Sequence, residues 1–150
     1  MNEKEIKRLT SLHVKKYRDE QNQFLIEGKR IVAEALMAGA DIVKLYSVSE
    51  LDESMISAAN DRKIPIENVD EHLAQKISNT VSPSGVLALC RILEKDLSSI
   101  QENENCIYLD CVSDPGNLGT IARAATANWF ATVGGRSGSI SALPPQAMTV

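Results

Sequence analysis

Long apolar runs are missing: nothing in these 150 residues approaches the length needed to span a membrane. The N-terminus, MNEKEIKRLTSLHVKKYRDE, has no apolar core before a small-residue cleavage site, so it is not a secretory signal. A cytoplasmic protein is expected. Cysteine is scarce, at three residues. Cys90, Cys106 and Cys111 are odd in number, lack CxxC spacing and lie in apolar runs, which marks them as reduced core thiols rather than disulfides or ligands. The two histidines, His13 and His72, sit in unlike settings and suggest no metal site. Basic charge is also in deficit: 16 Lys and Arg against 20 Asp and Glu leave a net charge of −4, which argues against a protein coated in basic surface for nucleic acid. No internal repeat is evident.

The remaining composition suits a globular core, 43% apolar, in a chain long enough for one ordinary domain or a small domain plus part of another. Charge is unevenly spread. Lys4, Lys7, Arg8, Lys15, Lys16 and Arg18 crowd the first segment against Glu3, Glu5, Asp19 and Glu20, while acidic residues dominate Glu50 to Glu71 and Glu94 to Glu104. This asymmetry allows a local basic footprint. A solvated helix with its cations outward accounts for it equally well.

Apolar periodicity predicts a helix from Lys4 to about Glu20, with Ile6, Leu9, Leu12 or His13, and Tyr17 on one side. A short strand, Phe24-Leu25-Ile26, comes after it. Glu27-Gly28 opens a helix carrying Ile31, Val32, Ala35 and Leu36, which Gly39 ends. Next come a strand over Ile42 to Val48, a softer helix over Leu51 to Arg62, and a strand over Ile64 to Val69, in which Pro65 marks an edge or a start. Asp70 caps a helix to Asn79, and Ser82-Pro83-Ser84-Gly85 turns into a buried strand, Val86 to Cys90. This alternation predicts a small three-layer α/β unit over residues 1–95. Leu93 to Asn105, rich in Glu, Ser and Asn, reads as a linker to a second unit over 103–150.

The second unit opens with an apolar run, Cys106 to Val112, short enough to be a strand covered on both faces. Ser113-Asp114-Pro115-Gly116-Asn117 is expected to turn the chain, with Gly and Asn tolerating left-handed backbone. From Leu118 the pattern is helical, with an apolar stripe of Leu118, Ile121, Ala122, Ala125 and Trp129. Gly119 and Arg123, four apart, share a face away from that stripe. Two readings of the polar residues stand. Asn117 is a helix cap and Arg123 a solvated charge, or Asn117 points its amide at a substrate beside the Arg123 guanidinium.

Asp114-Pro115-Gly116-Asn117-Leu118-Gly119-Thr120-Ile121 followed by Arg123, after a buried strand, resembles the first signature motif of the SpoU (TrmH-like) RNA ribose methyltransferases: Asn, any residue, Gly, three residues, Arg. Upstream, Arg18, Phe24-Leu25-Ile26-Glu27-Gly28 and Val81 to Ala88 resemble the substrate-binding domain found ahead of many SpoU catalytic domains, similar in fold to the ribosomal protein L30e. The resemblance implies an L30e-like first domain followed by the start of an α/β-knot (SPOUT) methyltransferase domain. The implied activity is transfer of a methyl group from S-adenosylmethionine to a ribose 2′-hydroxyl, without a metal, on RNA and preferably ribosomal RNA, by a homodimer. It assigns catalysis to Asn117 and Arg123 and structural parts of the motif to Gly116 and Gly119. Lys15, Lys16, Arg18 and Lys29 would touch RNA phosphate. Arg123 would act at the ribose 2′-hydroxyl. A guanidinium is a poor ground-state base, so holding the adjacent phosphate and stabilising a developing alkoxide suits it better. The glutamate–glycine pair, Glu27-Gly28, is expected to be structural, the strand-to-helix turn needing its glycine.

Beyond Phe130 the resemblance stops. Val133 to Ser139 looks like a glycine-rich phosphate loop but comes after a helix rather than a strand, so it is discounted. The Ser, Gly, Ala and Pro composition predicts a flexible or aberrant tail over 131–150. The family's later motifs, which form the knot, the donor pocket and much of the dimer contact, are absent. The expectation is therefore a truncated or frameshifted member whose first domain folds, whose catalytic half is incomplete, and which has no cofactor-binding residues of its own. The alternative is a non-catalytic RNA-binding module; an α/β nucleotide binder rests on the turn alone.

Overall fold

The computed structural model describes residues 1–80, 83–92, 106–109, 112, 114–127 and 132–135. The chain divides into two compact units, Met1–Ile92 and Leu93–Val150.

In the first unit, Asn2 caps helix α1 (Glu3–Ser11) by accepting the Glu5 backbone N–H at 2.9 Å. The single helix expected to Glu20 is in fact two, because the chain breaks after Leu12 and restarts as α2 (Lys15–Gln21). Val14, at the N-cap of α2, has extended backbone. Arg18 reaches back to the carbonyls of Leu12 and His13, at 3.1 and 2.9 Å, and satisfies acceptors that the end of α1 leaves open. His13 Nε2 donates to the Ile77 carbonyl at 2.6 Å, which turns the junction toward a helix far along the sequence. The break re-aims the second helix. Tyr17, expected beside Leu9 on an apolar side, is exposed, and α2 buries no residue at all.

The chain then runs through β1 (Gln23–Glu27), α3 (Lys29–Met37), β2 (Ile42–Ser47), α4 (Glu53–Asp61), β3 (Ile66–Asn68), α5 (Glu71–Ile77) and β4 (Val86–Arg91). The sheet order is β1-β4-β2-β3. β4 pairs antiparallel with both β1 and β2, and β2 pairs parallel with β3. β4 is the continuous apolar run, and Val86 to Cys90 are all buried. Its alternation divides the core. Val86, Ala88 and Cys90 pack with Val32, Leu36, Met55 and Ala59 of α3 and α4. Leu87 and Leu89 pack with Leu9, Leu12, Ala74 and Ile77 on the α1 and α5 side. Three layers result, as the alternation of elements predicts. Pro65 precedes the short edge strand β3 and its carbonyl accepts the Leu45 N–H at 2.9 Å.

Two devices fix the ends of α3. Gly28, at its start, has φ of +118°, a conformation that strains any side chain. At its other end Gly39, with φ of +75°, donates to the Leu36 carbonyl at 3.3 Å and the Ala40 N–H donates to the Ala35 carbonyl at 3.0 Å, a Schellman cap with the glycine where the sequence predicts the helix to end. The Arg62 guanidinium reinforces it by donating to the carbonyls of Leu36 at 3.1 Å, Gly39 at 3.3 Å and Ala40.

The second unit contains β5 (Cys106–Leu109), α6 (Pro115–Ala127) and β6 (Thr132–Gly135), with β5 and β6 parallel. Leu109, Leu118 and Ala125 are buried together, with Ile107, Val112 and Ile121 packed against them. Trp129 and the side chain of Ala122, both assigned to the apolar stripe, lie outside the described residues. Two expectations are corrected. The helix starts at Pro115 rather than Leu118, because proline at the first helical position has no N–H to lose and its φ is already helical. Gly116 and Asn117 are therefore helical, not a left-handed turn. A strand also stands at Thr132–Gly135, where a structureless tail is expected from composition. Four residues with two glycines carry no periodicity, and pairing with β5 is what makes them a strand. Residues 136–150, the remainder of that tail, lie outside the described residues.

Candidate nucleic-acid and methyl-transfer site

The start of α6 is set by Asp114. Its Oδ1 accepts the Asn117 backbone N–H at 2.7 Å, and its carbonyl accepts the Leu118 N–H at 3.1 Å. Asp114 is therefore the cap, and Asn117 is not. A Cβ at Gly116 would stand 3.1 Å from that capping oxygen, so the glycine leaves room for the cap. Thr120 Oγ1 donates back to the Gly116 carbonyl at 2.9 Å. With the cap supplied by Asp114, the Asn117 side chain is exposed and its amide makes no hydrogen bond to a described residue.

Gly119 is half-buried in α6, one turn before Arg123. The backbone of Arg123 belongs to the helix, while its side chain lies outside the described residues. Because Asn117 is inside the helix, positions 117 and 123 are six helical residues apart, about 9 Å along the axis and about 120° around it. They occupy neighbouring sides of the helix rather than one rim. A substrate meeting both would follow α6 from its first turn to its third.

The four cations expected to meet RNA all have partners within the chain. Lys15 Nζ lies 2.7 Å from Asp19 Oδ2, Lys16 Nζ 3.8 Å from Glu20 Oε1, and Lys29 Nζ 2.8 Å from Asp52 Oδ1. Arg18 is engaged by the Leu12 and His13 carbonyls at the α1–α2 junction. The three lysine pairs are exposed and worth only a few tenths of a kcal/mol each, about the range of surface ion pairs. Opening them is cheap, but the carboxylate stays beside the ammonium and cancels its field toward a phosphate.

Two clusters escape the sequence reading. In the first, Glu27 at the end of β1 accepts from Ser78 Oγ at 2.6 Å, Thr80 Oγ1 at 3.2 Å and the Ser84 N–H at 3.1 Å. One carboxylate thus ties the segment before β4 to the turn that opens α3. The glutamate, as well as its glycine, is structural. The serine and threonine content of 78–84 is the one trace of this in the sequence, more than fifty residues away. In the second, Lys44 on β2 lies 2.5 Å from Glu67 and 3.7 Å from Glu5, with its Nζ 5.3 Å above the ring of buried Tyr46. Hydrogen bonding to Glu67 raises the Lys44 pKa above its usual value, and the same bond lowers that of Glu67. Burial pushes the Tyr46 phenol well above its ordinary range, and its hydroxyl donates to Glu5 at 3.4 Å. This cluster joins α1 to the sheet.

Cys90 is buried and free, and burial raises its thiol to about 12, which leaves it unreactive. Cys106 and Cys111 lie outside the described side chains. Among the described residues, no group of three or more His, Cys, Asp or Glu is placed to hold a metal ion. No described helix is long and apolar enough to cross a membrane.

Residues 3–88 match the family model described as the MRM3-like substrate binding domain. The chain is 35% identical over 122 residues to the 23S rRNA (guanosine(2553)-2′-O)-methyltransferase RlmP of Bacillus subtilis, a match covering 81% of this chain and 47% of that protein. It is 28% identical over 146 residues to the mitochondrial rRNA methyltransferase 3 of Xenopus laevis, covering 89% of this chain and 33% of that one. In structure it resembles the AdoMet-bound rRNA methyltransferase from Sinorhizobium meliloti, with a TM-score of 0.71, 29% identity, and coverage of 95% of this chain and 60% of that chain. The chain thus spans less than half the length of these two curated relatives.

Proposed function

We propose, from the premise that this chain belongs to the family of the MRM3-like substrate binding domain, carried by SpoU (TrmH-like) rRNA methyltransferases, that its first unit binds RNA for a ribose 2′-O-methyltransferase. Ribosomal RNA is the preferred substrate. The observation that carries this is the family match, which falls on the substrate-binding part of the chain, over 3–88. The three-layer build around a central antiparallel strand supports an L30e-like domain over 1–95. The parallel β5–α6–β6 unit supports the start of an α/β-knot domain over 103–150. The complete enzyme would act in the cytoplasm as a homodimer.

At the second unit, Asn117 would orient the nucleotide with its exposed amide, Gly119 would clear space beside it, and Arg123 would hold the phosphate and steady the developing alkoxide. S-adenosylmethionine is the cofactor of the family and supplies the methyl group when bound. The described residues do not fit it. Their buried hydroxyls, Ser47 and Tyr46, are both in the first unit and are spent on the Ser49 carbonyl at 2.6 Å and on Glu5 at 3.4 Å. Around α6 the described polar groups are exposed, with no enclosed donor set for an adenosine or a sulfonium. A second reading, in which the chain serves as an RNA-binding module without turnover, is favoured by the family match falling on the substrate-binding part, over 3–88.

A gel shift with a structured ribosomal RNA fragment, paired with calorimetry of S-adenosylmethionine, tests both readings. RNA is expected to bind. Micromolar donor affinity would restore the enzyme reading for this chain alone, and failure of the full chain to shift RNA would refute RNA binding altogether.

A further inference from the structure

We infer that the RNA backbone is met by the outer face of α1 and α5, through Lys4, Lys7 and Lys76, and not by α2. This rests on the proposed RNA-binding function and names the surface that performs it. Lys4 and Lys7 are exposed and three residues apart on α1, so they project from one side of that helix, away from buried Leu9 and Leu12. Lys76 is exposed in the last turn of α5, away from buried Ala74 and Ile77. The two helices lie side by side in one layer. Thr10 Oγ1 donates to the Lys76 carbonyl at 3.1 Å, and His13 Nε2 donates to the Ile77 carbonyl at 2.6 Å, which places α5's last turn against α1's.

None of the three ammonium groups has a partner among the described residues, in contrast to Lys15, Lys16, Arg18 and Lys29. Glu5 is turned inward, committed to Lys44 and Tyr46 at the sheet. Asp70 is committed to capping α5, accepting the Leu73 N–H at 2.7 Å. Glu3 and Glu71 are the exposed acids left on the two helices. Three unpaired lysines on adjacent helices suit a repeating polyanion. Flexible ammonium groups contact phosphate without reading bases, and their affinity comes from counterion release.

The test uses the full chain and a labelled RNA stem-loop, with affinity measured between about 50 and 200 mM salt. Lys4→Gln, Lys7→Gln and Lys76→Gln combined should flatten the log K against log salt slope by about 2 to 3 and weaken binding about 100-fold near 0.1 M salt. Their melting temperature should stay at that of the unaltered protein, because no internal contact is removed. A second variant deletes both α2 ion pairs at constant net charge, with Lys15→Gln, Asp19→Asn, Lys16→Gln and Glu20→Gln, and should bind as the parent does. Lys63→Gln makes the same charge change just after α4, on the opposite layer, and should cost less than Lys7→Gln. An unchanged slope in the triple variant, an equal loss on deleting the α2 pairs, or an equal loss at Lys63 overturns the inference while leaving RNA binding intact. Absence of RNA binding by the unaltered chain overturns the proposed function instead.

Discussion

Glu27→Ala should unfasten one end of the first unit. The carboxylate accepts three hydrogen bonds, from Ser78 Oγ, Thr80 Oγ1 and the Ser84 N–H. The Ser78 bond is partly buried, and a charged acceptor there is worth about 1.5 to 2 kcal/mol. The other two are exposed, so water replaces much of what is lost, and about 0.5 kcal/mol each is a fair allowance. The sum is about 2.5 to 3 kcal/mol. For a unit of this size that corresponds to a fall in melting temperature of roughly 10 to 20 °C. Circular dichroism melts of the full chain measure it, and hydrogen exchange should show amides around 78–84 losing protection first. Glu27→Gln keeps one acceptor oxygen but points an amide donor at hydroxyl and N–H groups, so it should fall between the parent and Glu27→Ala. A loss under about 0.5 kcal/mol for Glu27→Ala would mean that the carboxylate is only a solvated turn residue, and the reasoning would fail.

Other substitutions probe other joints. Arg62→Ala should cost about 1 to 2 kcal/mol by chemical denaturation, since the Leu36 and Ala40 carbonyls keep their backbone donors, Gly39 N–H and Ile42 N–H, and lose only the charged one; Arg62→Lys should recover only part, lacking the planar fork. Tyr17→Ser should change stability by less than about 0.5 kcal/mol, because α2 buries nothing; a loss of several kcal/mol would restore the single continuous helix. Glu67 has a folded pKa below its ordinary 4.5, so the folded state binds its proton less readily than the unfolded one. Its contribution is therefore present above pH 4.5 and lost as pH falls through the lowered folded value. Lys44→Met should reduce, but not abolish, that acid-limb dependence in denaturation curves taken at successive pH values, because the Met1 ammonium remains 3.0 Å from Glu67. In peptide mapping, Cys90 should resist alkylation at about pH 8 until denaturant is added, because its thiol stays protonated and buried.

The elements of the first unit were legible where burial repeats with a clean period. Val86 to Cys90, a solid apolar run, is the central strand, and Asp70 caps α5 as its position before Leu73 suggests. The break at Leu12 was not legible. Ile6, Leu9, His13 and Tyr17 continue one helical stripe, and only the tertiary bonds from Arg18 to α1's carbonyls and from His13 to Ile77 favour ending the helix. At α6 the polar cluster was found, but the start of the helix was placed late. Asp114-Pro115 is itself a helix-start signal, and reading Gly116-Asn117 as a turn moved the cap three residues late. The basic residues show the limit most directly. Counting lysines along the chain locates a footprint, but which of them are quenched depends on acids such as Asp52, 23 residues from Lys29.

The central place of β4 has a consequence for how the molecule is made. β1 and β2 never touch edge to edge; each finds its partner in the strand synthesised last in that unit. As the polypeptide grows, β1 stands unpaired and the β2–β3 pair holds an open seam until the six residues of β4 arrive and join them. Assembly of this unit is thus a single late event rather than a series of steps, and any nascent chain stalled short of Val86 would present sticky strand edges to its neighbours.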